Sequence, residues 1–158
     1  MRSPKYPLAS LASLRDHEVD RATNELAGRV QASEAAERAR QAAERKRDRH
    51  EESTARVRAA ENEALARGVL RAADLARDDA WKTRTALDSR ALAAEVAREH
   101  ANEQQARENE RSAQAQLVSR QAASQVVAKD RARWTDGQRR RAEAREEEAS
   151  SEAWRPKP

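Results

Sequence analysis

The chain has 158 residues, 38% of them charged and only 3% aromatic, with no Cys and no Phe. Ile is absent as well, so a large three-dimensional apolar core, disulfides and Cys-based metal sites are excluded. The net charge of +4 comes from 32 basic and 28 acidic residues with their signs interleaved, whereas a nucleic-acid footprint needs a patch of one sign. Only Arg139, Arg140 and Arg141 approach such a patch, and Glu146, Glu147 and Glu148 follow them closely. We therefore expect no nucleic-acid partner.

High charge with little Leu and Val is also the composition of disordered chains. Here, however, the abundant residues are Ala, Glu, Arg and Gln, all favourable in helices, and three glycines and four prolines interrupt them very little. A chain rich in these residues with helical periodicity has the signature of long helices and coiled coils.

In chain order, residues 1–7 form a tail with Pro4 and Pro7, and Pro7 suits the first turn of a helix, where its missing N–H needs no partner. The first helix is expected over about 8–67. Its apolar spacing begins with a period near eleven, with Leu8, Val19 and Val30 in line and Leu11, Leu14, Ala22 and Leu26 filling the same stripe. The stripe then alternates steps of four and three through Ala32, Ala36, Ala39 and Ala43, continues as Lys46, His50 and Ser53, and reaches Val57, Ala60 and Ala64. A seam of small and polar side chains is thus expected in "SEAAERARQAAERKRDRHEES". Glu34 with Arg38, Glu63 with Arg67, and Glu103 with Arg107 sit four apart with the acid N-terminal, each pair contributing about 0.2–0.5 kcal/mol.

Gly68 marks the best place for a turn, expected over about 68–73, with Asp74 as the N-cap of a second helix over about 74–153. The alternative is an uninterrupted helix in which Gly68 is a weak spot, dimerising as a long structural rod. The second helix carries Leu75, Leu87, Leu92 and Val96, then a gap with nothing larger than Ala, then Leu117, Val118, Val126, Val127 and Trp134. Folding back at the turn would set one Ala-rich stretch against the other and let the backbones approach closely. The expected fold is therefore all-α, two long helices forming an antiparallel coiled-coil hairpin, with a short tail over 154–158.

Candidate chemistry is sparse. His17, His50 and His100 share no helical metal-ligand spacing, no Gly-rich phosphate loop is present, and the carboxylates have no loop-built cleft to separate their pKa values. No enzymatic activity, cofactor or metal is expected. No apolar run is long enough to span a membrane, and "MRSPKYPLASLASL" carries no signal-peptide pattern, so we expect a cytoplasmic protein without membrane insertion. Trp134 is expected to cover part of the seam. Trp81 beyond the turn and Trp154 at the chain end are candidates for partner contact.

The run "YPLASLASLRDHEVDRATNELAGR", through Tyr6, Leu8, Leu11, Leu14, Arg15, Glu18, Val19, Ala22 and Leu26, resembles the start of the FliJ/YscO family of type III export proteins, flagellar and virulence-type. The segment "RGVLRAADLARDDAW" is similar to that family's turn and second-helix start, and "RPKP" to its basic end. The resemblance implies a hairpin like the coiled coil of the rotary ATP synthase gamma subunit. It also implies a stalk that enters the hexameric export ATPase, links it to the export gate and engages export chaperones. It places partner-binding residues at Leu8, Leu11, Arg15 and Glu18, with Trp81 the nearest match to the family's gate contacts and Trp154 at the far end. A monomeric hairpin, peripheral at the inner membrane through the export apparatus, is expected.

Overall fold

A computed structural model of the protein describes residues 4–69 and 71–154, without the side chains of residues 72, 75 and 153. Leu70 of the expected turn, the side chain of Leu75 and the basic end at 155–158 lie outside the described residues. The protein is an all-α helical hairpin: α1 covers Ala9–Ala66 and α2 covers Ala72–Ala153, packed against each other, and the described residues contain no strand. The uninterrupted rod is therefore not the fold.

The reason lies at Gly68, whose φ of 66° is open to glycine and costly for a residue with a Cβ. The amide of Gly68 donates to the Leu65 carbonyl at 3.0 Å and that of Val69 to the Ala64 carbonyl at 3.2 Å. These two bonds form a Schellman motif, which satisfies carbonyls that the end of α1 would otherwise leave open. On the other side of the turn the expected capping role shifts. Asp74 is the third residue of α2, not its N-cap: its amide donates to the Arg71 carbonyl at 2.9 Å, and its Oδ2 accepts from the Arg71 amide at 3.0 Å. Arg71 is thus the cap, held by the reciprocal half of a capping box.

At the start of the chain, Pro7 stands just before the helix. The Ala9 amide donates to the Tyr6 carbonyl at 3.3 Å, so Pro7 occupies the second position of a tight turn, where its fixed φ is an advantage.

The chain divides into two compact units, Gly28–Arg111 and the described part of Met1–Ala27 with Ser112–Pro158. In the first, antiparallel pairing is read from Glu37 beside Arg107 at 3.9 Å, Arg40 beside Glu103 at 2.5 Å and Lys46 beside Glu95 at 2.8 Å. The inward line of α1 here alternates steps of three and four: Ser33, Ala36, Arg40, Ala43, Arg47, His50, Thr54, then Glu61 and Ala64. Four positions of the expected seam, Ala36, Ala43, His50 and Ala64, are therefore inward. The other six positions are corrected, since Ala32, Ala39, Lys46, Ser53, Val57 and Ala60 are exposed and Ser33, Arg40, Arg47, Thr54 and Glu61 take the inward places.

In the second unit, Asp16 accepts from the Ser124 hydroxyl at 3.0 Å and Glu18 meets Arg120 at 3.3 Å. Leu11, Arg15, Val19, Ala22 and Leu26 are half-buried on α1, whereas Leu14, expected in the stripe, is 54% exposed and Arg15 takes its place. Val127 and Ala113 are buried on α2. Trp134 is half-buried and packs edge-on against Tyr6, with ring centroids 5.6 Å apart and planes at 62°.

Candidate partner-binding site

The sequence-predicted contact residues fall into different surroundings. Leu11, Arg15 and Glu18 lie on the inward side of α1 and are half-buried, with Arg15 donating to Glu18 at 2.7 Å. That hydrogen bond, against the opposing effect of burial, together with the Arg120, Arg15 and Arg21 charges, holds the Glu18 carboxyl below its ordinary value. Leu8 is more open, at 43% exposure, and Trp154 is 88% exposed. These five residues belong to one unit and Trp81 to the other. A partner reading this part of α1 would meet Leu8, Leu14 and the outer edges of an ion pair, because Leu11 is turned into the seam.

Trp81 is half-buried in a groove of about 440 Å³ near the turn, lined by Val57, Glu61, Leu65, Asp78 and Lys82 among others. Two forces shape this groove. Its apolar side is incomplete, since Val57 and Leu65 are 38% and 50% exposed. Its polar wall brings like charges together: burial first, then the charge and hydrogen bonding of Asp78, push the Glu61 carboxyl above its ordinary value, with Lys82 and Arg58 pulling it down. Lys82 donates to Asp78 Oδ2, and this bond raises the Lys82 ammonium despite the opposing effect of burial. Asp78 Oδ1 is buried without a hydrogen-bond partner. An aromatic ring flanked by aliphatic carbons, with Arg58, Glu61, Asp74, Arg77 and Lys82 around it, suits a partner side chain with an apolar stem and a polar head.

Farther along the same unit the helices are joined by an ionic cluster around one buried carboxylate, which the sequence reading missed. Glu103 is 5% exposed. It accepts from Arg40 Nε at 2.5 Å and pairs with Arg107 at 2.6 Å, while Arg40 also reaches Glu44 at 2.7 Å. Burial would raise the Glu103 carboxyl, but the Arg40 hydrogen bond with the Arg107 and Arg40 charges outweighs it and holds the group below its ordinary value. Glu103 with Arg107 was legible as a local pair; Arg40, 63 positions away in sequence, was not. The three expected pairs all form, Glu34 with Arg38 at 3.8 Å and Glu63 with Arg67 in close contact.

A second missed feature joins the N-terminal turn to α2. The buried Tyr6 donates its hydroxyl to Asp130 Oδ2 at 2.6 Å while its ring meets Trp134. The hydrogen bond to Asp130, followed by burial and the Asp130 charge, raises the Tyr6 phenol above its ordinary value against the opposing charge of Arg131. The only signal in sequence was an aromatic set between two prolines.

Among the described residues no group of three or more His, Asp or Glu side chains is placed to hold a metal ion, and no helix is long and apolar enough to cross a membrane. No known protein family, curated protein or solved structure matches the chain.

Proposed function

We propose that the chain is a non-enzymatic stalk or regulatory component of a type III protein export apparatus, binding the hexameric export ATPase and linking it to the export gate. It acts in the cytoplasm, peripheral at the inner membrane through that apparatus, and export chaperones are further partners. The observation that carries this reading is the antiparallel hairpin closed by the Gly68 turn, the architecture that the resemblance of the N-terminal run and of "RGVLRAADLARDDAW" implies.

The physical logic lies in the small side chains of the helix pair. Ala36 and Ala43 on the inward line are small, and small side chains let helix backbones approach closely. The Trp81 groove near the turn offers the gate an aromatic and aliphatic contact surface, and Leu8 and Trp154 offer the ATPase exposed apolar side chains.

Titrating purified export ATPase with the full chain tests the reading. Stimulated turnover and co-migration on size exclusion are expected, and Trp81→Ala should weaken gate binding while leaving the stimulation intact. Unchanged turnover together with separate elution would refute it.

A further inference from the structure

Residues 113 to 134 of α2 carry two apolar faces where one is needed. The inward face contains Ala113, Leu117 and Val127, buried or half-buried against α1. On the opposite side, steps of three, four, four, three and four connect Ala115, Val118, Ala122, Val126, Lys129 and Arg133, and every one of them is exposed. Val126 and Val127 make the contrast plain, at 68% and 8% exposure. At 100° per residue, position 122 lies opposite position 113, so the two faces point in opposite directions from one helix axis. Nothing in the hairpin needs the second one.

We infer that this outer face of α2 docks an amphipathic helix from a partner protein, bearing Leu on its contact side and carboxylates at the end that meets Lys129 and Arg133. The shape argument is that Ala115 and Ala122 alternate with Val118 and Val126, leaving hollows that larger apolar knobs fill. The charge argument is that Lys129 and Arg133 continue the stripe and form no ion pair among the described residues. A second copy fits poorly. Parallel pairing would set Lys129 on Lys129 and Arg133 on Arg133, and antiparallel pairing centred on Ala122 would lay Lys129 over Ala115 with no carboxylate to meet it. This inference is independent of the export reading, since it rests on another face and on no resemblance.

The probe is a fluorescein-labelled helical peptide of about 18 residues, five turns, with Leu at three-four spacing and Glu at its end and flanks, and a Lys-flanked counterpart as control. Anisotropy with the full chain at low salt should show the acidic peptide binding at least about tenfold more tightly than the basic one. Lys129→Glu with Arg133→Glu should invert that preference, and Val118→Asn with Val126→Asn should weaken the acidic peptide by about tenfold, with the helical circular dichroism signal unchanged. Should the valine pair perturb helicity, Val126→Ser alone carries the same reading with a smaller loss. Equal affinity for the two peptides, no binding of either, or indifference to the valine changes overturns the inference. So does self-association in sedimentation that the valine changes abolish, which would assign the face to a second copy. Tighter binding to phosphatidylglycerol vesicles than to the acidic peptide would assign it to a membrane surface, and overturns it too.

Discussion

In the unit formed by Gly28–Arg111 the buried residues are Ser33, Ala43, Thr85 and Glu103, whereas in the other they are Tyr6, Ala113 and Val127. Both units hold two antiparallel helices together, with different chemistry. The apolar seam gains from water exclusion, which is non-directional and tolerates small shifts of register. The polar seam gains little from exclusion, and its Arg40–Glu103 pair, which alone of that cluster crosses between the helices, depends on the register. One unit is thus built for adhesion and the other for alignment, and the difference can be broken deliberately.

The largest effect is expected in the apolar unit. Val127→Asp buries a carboxylate with no partner in a seam made for a branched alkane, and should cost about 3 kcal/mol in chemical denaturation. Amide hydrogen exchange should rise around Leu11–Leu26 and around Val127. An equal rise at Arg40 and Glu103 would show that the two units unfold as one.

Within the polar unit, two glycines should respond with opposite signs. Gly68→Ala forces a Cβ into the left-handed region at the turn that closes the polar unit, and should cost about 1–2 kcal/mol. Gly28→Ala places its Cβ in open space on a helix of ordinary φ, and should stabilise by about 0.5–1 kcal/mol. Thermal unfolding of the two variants side by side checks both.

The two seams should also differ in their pH response, with Glu103 and Glu95 giving the polar unit an acid limb and Tyr6 giving the apolar unit an alkaline one, while the raised Glu61 and Lys82 near the turn add responses of the other sign to the polar unit. Glu103 and Glu95 are held below their ordinary value in the polar unit, so their contribution is complete above the usual Glu range and is lost as pH falls through the lowered values. Glu103→Gln should flatten that acid limb. For Tyr6 the phenol is raised, so its contribution is complete below the usual Tyr value near 10 and is lost as pH rises through the raised one. Tyr6→Phe should flatten the alkaline limb and leave the acid limb unchanged. Glu18 adds a smaller acid response to the apolar unit, so the acid limbs are best separated by residue-resolved hydrogen exchange.

The smallest effect is expected on the surface. Glu34→Gln removes a 3.8 Å pair with Arg38 whose side chains are both more than half exposed, and should change stability by about 0.2–0.5 kcal/mol. A change above about 1 kcal/mol would mean that helix propensity is shared with the seam more tightly than the exposure suggests.

Several of these features were legible before any fold was known because they depend on local geometry alone. Gly68 stood out because a helix stops most easily where a left-handed residue is free of strain, and Glu34, Glu63 and Glu103 pair with residues four ahead because one helix brings them together. The seam was legible in part. Ala36, Ala43, His50 and Ala64 were placed inward, but Ala32 and Ala39 were preferred to Ser33 and Arg40 because alanine reads as core and arginine as surface. In a sequence where alanine occurs on every face, apolarity cannot say which of two neighbouring lines turns inward. Arg40 can do so because Glu103 meets it there.

Sequence alone therefore determined the helical content and the scarcity of core, since helix propensity and the absence of large side chains act over a few residues, and it marked Gly68 as the best place for a turn without deciding between a hairpin and an uninterrupted rod; the left-handed φ that closes the hairpin came from the structure. Only the tertiary structure decided the register and the division of labour between the seams. Tyr6 with Asp130 and Arg40 with Glu103 lie 124 and 63 positions apart, and the benefit of burying each polar group exists only once its distant partner has arrived.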